Sequence, residues 1–287
     1  MYKCKLCGNK NLTKIKKINK SNIYECKLCK CSYTDKKALS KKNLYQKRGI
    51  YNFKDYENIK NNQKKKFLKL ISKLKEYLPK GEILDVGAGY GLFSYLLSKS
   101  KDYKIEVIEP NLSLEYIKKE KKIIKHKISY NAFLKKHNKK FNCICFLDVI
   151  EHFNYSERIL KKTKDILYNN GFLLIHVPNY KSLMARLCKN WSWWMVEDHI
   201  YHFSTKSIKK VVEKAGYSIL SINTYETFYD FIKNLDGNFT HIKNSKLRKL
   251  NKGLFYILFF PLYFLLRRIF WKFGYGGLIY LIAKKDD

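Results

Sequence analysis

Acidic residues are scarce in this sequence. Its 287 residues include 24 Asp and Glu against 59 Lys and Arg, so the formal net charge is +35 at pH 7. Such an excess favours attraction to nucleic acids or to an anionic membrane surface. The basic residues are scattered along the whole chain, however, and Lys, Asn, Ile and Tyr are all frequent, as AT-rich coding would produce. The charge alone therefore indicates only non-specific attraction.

The sequence also lacks an apolar run of transmembrane length. Its most apolar stretch, residues 254–266, is interrupted only by Pro261 and flanked by Lys252, Arg267 and Arg268. Spanning a bilayer takes about 20 residues, so we expect this stretch to be too short to cross a membrane as a helix. It fits a segment in the membrane interface, with basic flanks on anionic head groups. The alternative is a helix buried against the domain or against a second subunit, and the oligomeric state stays open.

The first residues lack the apolar run of a signal peptide. We therefore expect a cytoplasmic protein, in peripheral contact with the inner face of the membrane if residues 254–266 dock there. Eight cysteines in that compartment indicate free thiols or metal ligands rather than a disulfide framework.

Four of these cysteines form two C-x-x-C pairs whose spacing is typical of a structural zinc site. The predicted Zn²⁺ ligands are Cys4, Cys7, Cys26 and Cys29. A polar segment with so few core residues needs such a metal in order to fold. Cys31 could replace Cys29, and the alternative is that none of them binds metal. We expect a zinc ribbon over residues 1–34, then a linker and leading helix over residues 35–80.

Residues 82–93 read as a buried strand, a glycine turn and the first turn of a helix. Gly87, Gly89 and Gly91 let the backbone adopt conformations closed to other residues and let a ligand approach the main chain. Ligands of open α/β sheets bind at such a corner. The dinucleotide fingerprint places its third glycine one residue later, where Leu92 stands. A nicotinamide-dependent oxidoreductase is therefore the weaker alternative.

Residues 83–91 have the form hydrophobic-hydrophobic-Asp-hydrophobic-G-x-G-x-G. This resembles the first motif of the class I S-adenosylmethionine-dependent methyltransferases. The resemblance implies an α/β, Rossmann-like domain over residues 81–287, with a seven-stranded sheet, helices on both faces and a final antiparallel hairpin. An apolar and basic insertion, residues 227–275, would precede the last strand. Many members carry a zinc ribbon ahead of this domain, and the combination is similar to the ubiquinone-biosynthesis O-methyltransferase type of small-molecule methyltransferases.

Two acidic residues are the main anchors predicted for the cofactor. Glu109 ends a predicted strand about 20 residues after Gly87, the offset at which an acidic residue meets ribose hydroxyls. The resemblance implies that Asp148 lies against bound S-adenosylmethionine, and that Tyr130 or Asn131 stands near the adenine. The complete predicted set is Asp85, Gly87, Ala88, Gly89, Gly91, Glu109, Pro110, Asn131, Asp148 and Val149.

Histidines are the predicted catalytic residues. The resemblance implies that Glu151 and His152 open onto the acceptor, although both could instead satisfy a helix start. His199 matches a family pattern like H-x-x-x-F-S, and His202 is its neighbour. A neutral histidine is a suitable base for a hydroxyl acceptor near pH 7, with His199 preferred over His152 and His202. The tryptophan-rich residues 191–195 form the predicted lid over the acceptor, unless they serve only aromatic packing.

The sequence thus predicts in-line methyl transfer from S-adenosylmethionine to oxygen or carbon of a small-molecule, sugar or lipid-linked acceptor. An RNA-binding protein or RNA methyltransferase is the alternative that the ribbon and the charge favour. The strand end at Asp148 lacks the Asn/Asp-Pro-Pro-aromatic sequence that amino-directed base methylases need. Specific nucleic-acid binding is therefore not expected.

Hydrophobic periodicity and turn residues predict the remaining elements. We expect helices at residues 63–78, 92–97, 111–119, 154–168 (capped by Asn154 and closed by residues 169–171) and 205–215 (capped by Ser204 and ended by Gly216). We expect strands at residues 104–108, 122–125, 141–147, 172–177, 217–223 and 278–283.

Overall fold

A seven-stranded sheet forms the centre of the protein. The computed structural model describes residues 3–35, 53–116, 123–188, 190–239 and 242–286. The strands are β4 (Gly81–Val86), β5 (Tyr103–Ile108), β6 (Ile123–His126), β7 (Phe141–Leu147), β8 (Leu167–Pro178), β10 (Tyr217–Tyr225) and β11 (Leu278–Lys285). Their order across the sheet is β10-β11-β8-β7-β4-β5-β6.

The sheet is parallel except at one edge. β8, β7, β4, β5 and β6 run parallel, whereas β11 pairs antiparallel with both β8 and β10. Because the carboxyl ends of parallel strands meet at one edge, the segments after β4, β5 and β7 converge there. The predicted seven-stranded sheet with its final antiparallel hairpin is confirmed.

Helices cover both faces of the sheet. They are α1 (Phe53–Lys75), α2 (Leu92–Leu97), α3 (Tyr130–Lys136), α4 (Ser156–Thr163), α5 (Leu183–Leu187), α6 (Thr205–Lys214), α7 (Phe228–Asn238) and α8 (Ser245–Lys272). Alternate residues of β7 point to opposite cores, Ile144 and Phe146 to one, Cys143 and Cys145 to the other. This alternation is why β7 is apolar throughout, as expected of a central strand buried on both faces. The two cysteines fill the core.

A second, small sheet contains the N-terminal segment. β1 (Leu12–Ile18), β2 (Ser21–Cys26) and β3 (Ser32–Thr34) form an antiparallel meander. Its fourth strand, β9 (Tyr201–His202), comes from the larger domain and pairs with β3. The ribbon and the segment of the predicted histidines are thus joined by backbone hydrogen bonds.

Several element bounds differ from those expected. The helix predicted at residues 63–78 begins at Phe53, and the one at 111–119 is a 3₁₀ turn, Leu112–Tyr116, with residues 117–122 outside the described part. The predicted Asn154 cap is wrong: α4 starts after Tyr155 without a side-chain cap. Ser156, the first residue of the helix, turns its hydroxyl inward and donates to the carbonyl of Ile150 at 2.8 Å.

The helix predicted to end near residue 168 ends at Thr163 and continues only as a 3₁₀ turn, Lys164–Ile166. Residues 169–171 do not close a helix but lie within β8. There the pairing with β7 jumps from Leu167 to Phe172, so the extra residues form a bulge. Asn170 adopts a positive φ of 64° in that bulge.

The apolar stretch at residues 254–266 lies within the much longer α8. Leu, Lys and Arg are strong helix formers, so the helix continues through both basic flanks to 28 residues. By length and composition it is sufficient to cross a membrane. The expectation that the segment is too short for this is corrected. None of its residues is buried, so it is not a core helix.

Candidate active site

The glycine turn connects β4 to α2 at the carboxyl edge of the sheet. Gly87, Gly89 and Gly91 all have positive φ, between 54° and 70°. A Cβ at Gly87 would lie 2.7 Å from Val149 Cγ2, so this position has no room for a side chain. A Cβ at Gly89 would meet nothing within 4 Å. Gly89 therefore borders open space in which a ligand can approach the backbone.

Glu109 holds this turn from the end of β5. Its Oε2 accepts a hydrogen bond from the backbone N–H of Gly89 at 2.8 Å. Its Oε1 accepts from both the backbone and the side chain of Asn111. The carboxylate is thus oriented beside the glycine turn, at the place predicted for ribose recognition.

Asp85 lies inside the corner formed by β4, the glycine turn and α2. It accepts a 2.6 Å hydrogen bond from the hydroxyl of Ser94 on α2. Burial raises the pKa of Asp85 to about 7, against the effect of the Ser94 hydrogen bond, and the charge of Glu109 raises it further. Asp85 therefore ties the start of α2 to β4.

Helix α1 packs beside the corner, which the sequence did not reveal. Tyr56 stacks on Tyr90 of the glycine turn, with ring centroids 4.5 Å apart. Ten residues further along α1, the buried Lys66 places its Nζ 2.9 Å from Asp148 Oδ2. The helix that leads into the domain therefore reaches two parts of the predicted cofactor site.

Asp148, whose side chain is 25% exposed, is the centre of a polar network after β7, and its φ is 58°. Lys66 binds one carboxylate oxygen, and His176 Nδ1 lies 2.7 Å from the other. The other ring nitrogen of His176 lies 2.8 Å from the hydroxyl of Tyr225. Burial opposes ionisation of Asp148, but the charges of Lys66 and His176 outweigh it and hold the pKa of Asp148 well below its usual value. Lys66, His176 and Tyr225 were missed because only the fold brings them together.

Glu151, His152 and His199 form a second polar cluster beside this network. Their ligand atoms lie within 4.8 Å of one another, so the three side chains could also hold one metal ion. Glu151 is buried, and within the described chain neither of its carboxylate oxygens has a hydrogen-bond partner. Burial, then the charge of Asp148, raises the pKa of Glu151 well above its usual value. The cluster places a buried carboxyl beside two imidazoles.

Both imidazoles of this cluster are held neutral. Burial lowers the pKa of His199 well below its usual value, and the neighbouring histidines lower it further. Burial lowers the pKa of His152 to about 4, although the carbonyl of Asp198 and the charge of Asp148 oppose this. His152 Nδ1 lies 3.0 Å from the carbonyl of Asp198, which can only accept, so Nδ1 has the proton and Nε2 the lone pair.

His152 also differs from His199 in access. It is partly exposed and lines a cavity of about 380 Å³ together with Asn131, whereas His199 is 2% exposed. A proton acceptor must contact its substrate, so the open cavity favours His152 over His199.

His202 is hydrogen-bonded to the ribbon. The hydroxyl of Thr34 on β3 donates to the carbonyl of His199 at 2.9 Å and lies 2.9 Å from His202 Nε2. A hydroxyl has one proton, so it must accept from His202, whose Nε2 therefore has the hydrogen. Burial lowers the pKa of His202 to about 3. The geometry gives this histidine a positioning role between ribbon and domain.

The tryptophans predicted as a lid surround these histidines. Trp194 packs against Trp191 and His202, with ring centroids 5.1 Å apart in both cases. Among the described residues, the indole N–H groups of Trp191, Trp193 and Trp194 have no hydrogen-bond acceptor although they are buried. Such donors are unfavourable unless a ligand pairs with them.

The four predicted metal ligands come together in the ribbon. The Sγ atoms of Cys4 and Cys29 are 3.4 Å apart, and those of Cys7 and Cys26 are 3.6 Å apart. All four sulfurs lie within 4.8 Å of one another, a cluster that does not include Cys31. Tetrahedral Zn²⁺ with bonds of about 2.3 Å sets sulfurs about 3.8 Å apart, so the donor set fits this ion.

Of the remaining predicted cofactor residues, two lie at the glycine turn and two lie outside it. Ala88 follows Gly87 in the turn, and Val149 packs over Gly87. Pro110 is exposed after Glu109. Asn131 is exposed on α3 and borders the cavity of His152.

Comparisons with known proteins agree with this fold. Residues 59–222 match the family described as "Methyltransferase domain". No curated protein matches the chain. A solved S-adenosylmethionine-dependent methyltransferase from Thermotoga maritima, a possible histamine N-methyltransferase, is similar at 17% identity and TM-score 0.53, covering 81% of this chain and 95% of that one. Another, from Archaeoglobus fulgidus, is similar at 18% identity and TM-score 0.51, covering 76% and 94%.

These structures are too distant in sequence to show more than the fold, whereas the family match covers more than half of the chain. It does not favour the nicotinamide-dependent alternative. With the sheet order and the glycine turn beside Glu109, it shows that the chain belongs to the methyltransferase-domain family and is an S-adenosylmethionine-dependent methyltransferase.

Proposed function

We propose that this enzyme methylates an oxygen or carbon atom of a hydroxyl-rich small molecule, a sugar or a lipid-linked acceptor, with His152 as the base. The cluster of Glu151, His152 and His199 is the observation on which the proposal rests. Val149 contacts the glycine turn, and His152 follows it by three residues. His152 also lies close enough to Asp148 for that charge to affect its pKa, and its side chain borders a cavity.

The unpaired polar groups support an acceptor rich in hydroxyls. The buried carboxyl of Glu151 and the three buried indole N–H groups lack partners within the described chain. A sugar or polyol offers both donors and acceptors to such groups, and leaving them unpaired costs about 1 to 3 kcal/mol each. A purely apolar acceptor would leave them all unsatisfied.

When bound, S-adenosylmethionine supplies a methyl group on a sulfonium, which the acceptor atom takes by in-line displacement while sulfur keeps the bonding electron pair. The residues of the glycine turn and Glu109 would hold it. His152 Nε2 accepts the proton that leaves the acceptor. Glu151 and His199 lie beside this ring, and burial lowers its pKa to about 4, so the imidazole is unprotonated at neutral pH and can act as a base.

We also propose that Cys4, Cys7, Cys26 and Cys29 hold structural Zn²⁺. Four protein ligands leave no open position, so this ion would stabilise the ribbon rather than contact substrate. Its effect on the active site would pass through Thr34, which fixes His202 and the carbonyl of His199.

Radiolabelled S-adenosylmethionine tests the proposal. The purified enzyme would be incubated with cytosolic metabolites, lipid extract and total RNA as separate acceptor pools. We expect label in the metabolite or lipid pool, and a 10²- to 10⁴-fold loss of kcat in His152→Gln with S-adenosylmethionine binding unchanged. His202→Gln is the control for loss of a neighbouring imidazole outside this cluster, and we expect it to retain more activity. Label confined to RNA, or full activity of His152→Gln, would overturn the proposal.

A further inference from the structure

Helix α8 has one face attached to the domain. Tyr256 donates to Asp236 at 2.6 Å, and Tyr263 donates to Glu226 at 2.7 Å. The ring of Tyr263 also stacks on Phe231 of α7, with centroids 4.1 Å apart. Near the end of the helix, the carbonyl of Trp271 accepts from the hydroxyl of Thr224 on β10 at 2.7 Å. These contacts hold α8 along the surface of the domain.

The opposite face of α8 has no partner within the described chain. We call it the outer face: Leu254, Ile257, Leu258, Leu262, Leu265 and Ile269. Their spacings of three, four and seven residues place them on one side of the helix. All are at least half exposed, and Ile257 and Leu265 are 72% and 76% exposed. A continuous apolar face of this kind marks an interaction site.

The distribution of charge along α8 indicates what kind of partner the outer face binds. Four basic residues lie in its first eight positions and three in its last six, and the helix contains no Asp or Glu. The central residues 253–266 are uncharged. Apolar side chains between basic ends match the acyl boundary and the anionic head groups of a bilayer.

A second copy of the chain would fit this face poorly. Pairing of two α8 helices in either direction brings basic ends against basic ends, with no acidic residue on either helix to compensate. Like charges brought together in this way disfavour association.

The contacts of the attached face also favour one of two orientations of α8, across the membrane or in its plane. Its 28 residues span about 42 Å, enough for a crossing. A crossing, however, would carry the partners of Tyr256 and Tyr263, the acidic Asp236 and Glu226, into the hydrocarbon region at high cost. A helix lying in the plane of the membrane keeps these contacts and buries only the outer face.

We infer that the outer face of α8 docks in the plane of an anionic lipid bilayer. The enzyme thereby works at a membrane surface, where a lipid-linked acceptor would be presented to it. This inference does not depend on the proposed acceptor, because the helix would bind lipid without methyl transfer.

Flotation of the purified full chain with phosphatidylcholine vesicles, with and without phosphatidylglycerol, tests the inference. We expect the wild type to float mainly with the anionic vesicles. The variant Ile257→Glu with Leu265→Glu should lose this binding by roughly tenfold or more, since both charges would enter the acyl boundary. Arg268→Gln with Lys272→Gln should weaken binding to the anionic vesicles by roughly 25-fold, about fivefold for each charge.

A matched control places the same two charges elsewhere. Ile15→Glu with Ile124→Glu substitutes exposed side chains on the edge strands β1 and β6. It should float like the wild type, and every variant should bind S-adenosylmethionine normally, which establishes that it is folded.

Three results would overturn the inference. The first is that the wild type floats with neither vesicle or equally with both. The second is that an α8 variant floats like the wild type. The third is that light scattering shows a dimer without lipid, which Ile257→Glu with Leu265→Glu converts to a monomer.

Discussion

Two neighbouring glycines give a sharp test of the cofactor corner, because alanine should act differently at each. Gly87 and Gly89 both have positive φ, so alanine at either position costs about 1 to 2 kcal/mol of backbone strain. At Gly87 the new Cβ would also lie 2.7 Å from Val149, and overpacking of this kind costs typically 1 to 3 kcal/mol more. At Gly89 the new Cβ meets nothing.

Gly87→Ala should therefore destabilise the protein by about 2 to 5 kcal/mol, and Gly89→Ala by about 1 to 2 kcal/mol. For a domain of this size each kcal/mol lowers Tm by about 2 to 4 °C, so we expect roughly 4 to 20 °C for Gly87→Ala and 2 to 8 °C for Gly89→Ala. Val149→Ala should restore part of the stability lost by Gly87→Ala.

Binding of S-adenosylmethionine completes this test. In Gly89→Ala the methyl group enters the space where the ligand approaches the backbone, so affinity measured by calorimetry should fall roughly ten- to a hundredfold. Gly253→Ala, a helical glycine with open surroundings on α8, is the control and should leave affinity unchanged. Wild-type affinity in Gly89→Ala would refute the assignment of this corner to the cofactor.

Four further outcomes are expected. Glu109→Ala should weaken S-adenosylmethionine binding by roughly ten- to a hundredfold in calorimetry, since it removes an acceptor for the ribose and releases the glycine turn. Metal analysis should find zinc retained in Cys31→Ser and lost in Cys29→Ser, because only Cys29 belongs to the four-sulfur cluster. Thr34→Val should lower kcat more than it changes the KM for S-adenosylmethionine, because it removes the hydrogen bond that positions His202, a residue outside the predicted cofactor site. Unfolded histidine takes up a proton near pH 6.5, whereas His152 in the folded protein does so only near pH 4. The free energy of unfolding should therefore fall by roughly 3 kcal/mol as the pH falls across that interval. In urea titrations, His152→Gln should remove this part of the pH dependence.

The parts of the fold that could be predicted are those determined by local sequence. The glycine turn, the buried β7 and the capped α6 each depend on residues close together in the chain, and all three form where expected. Spacing alone likewise predicted the four cysteines that come together. Each of these elements has a short-range physical cause.

The parts that could not be predicted depend on contacts between distant segments. Lys66 and His176 are unremarkable in sequence, yet they bind the two oxygens of Asp148 from separate elements. The pairing of β9 with the ribbon depends on the docking of two units. The extent of α8 was underestimated because hydrophobicity ends at residue 266, whereas helix propensity continues through the basic residues.

Titration of the folded wild-type protein with S-adenosylmethionine and, separately, with a nicotinamide dinucleotide tests the central claim most directly. The glycine spacing, the position of Glu109 and the family match predict saturable binding of S-adenosylmethionine at one site per chain and no binding of the dinucleotide. A folded protein that binds the dinucleotide and not S-adenosylmethionine would contradict the account.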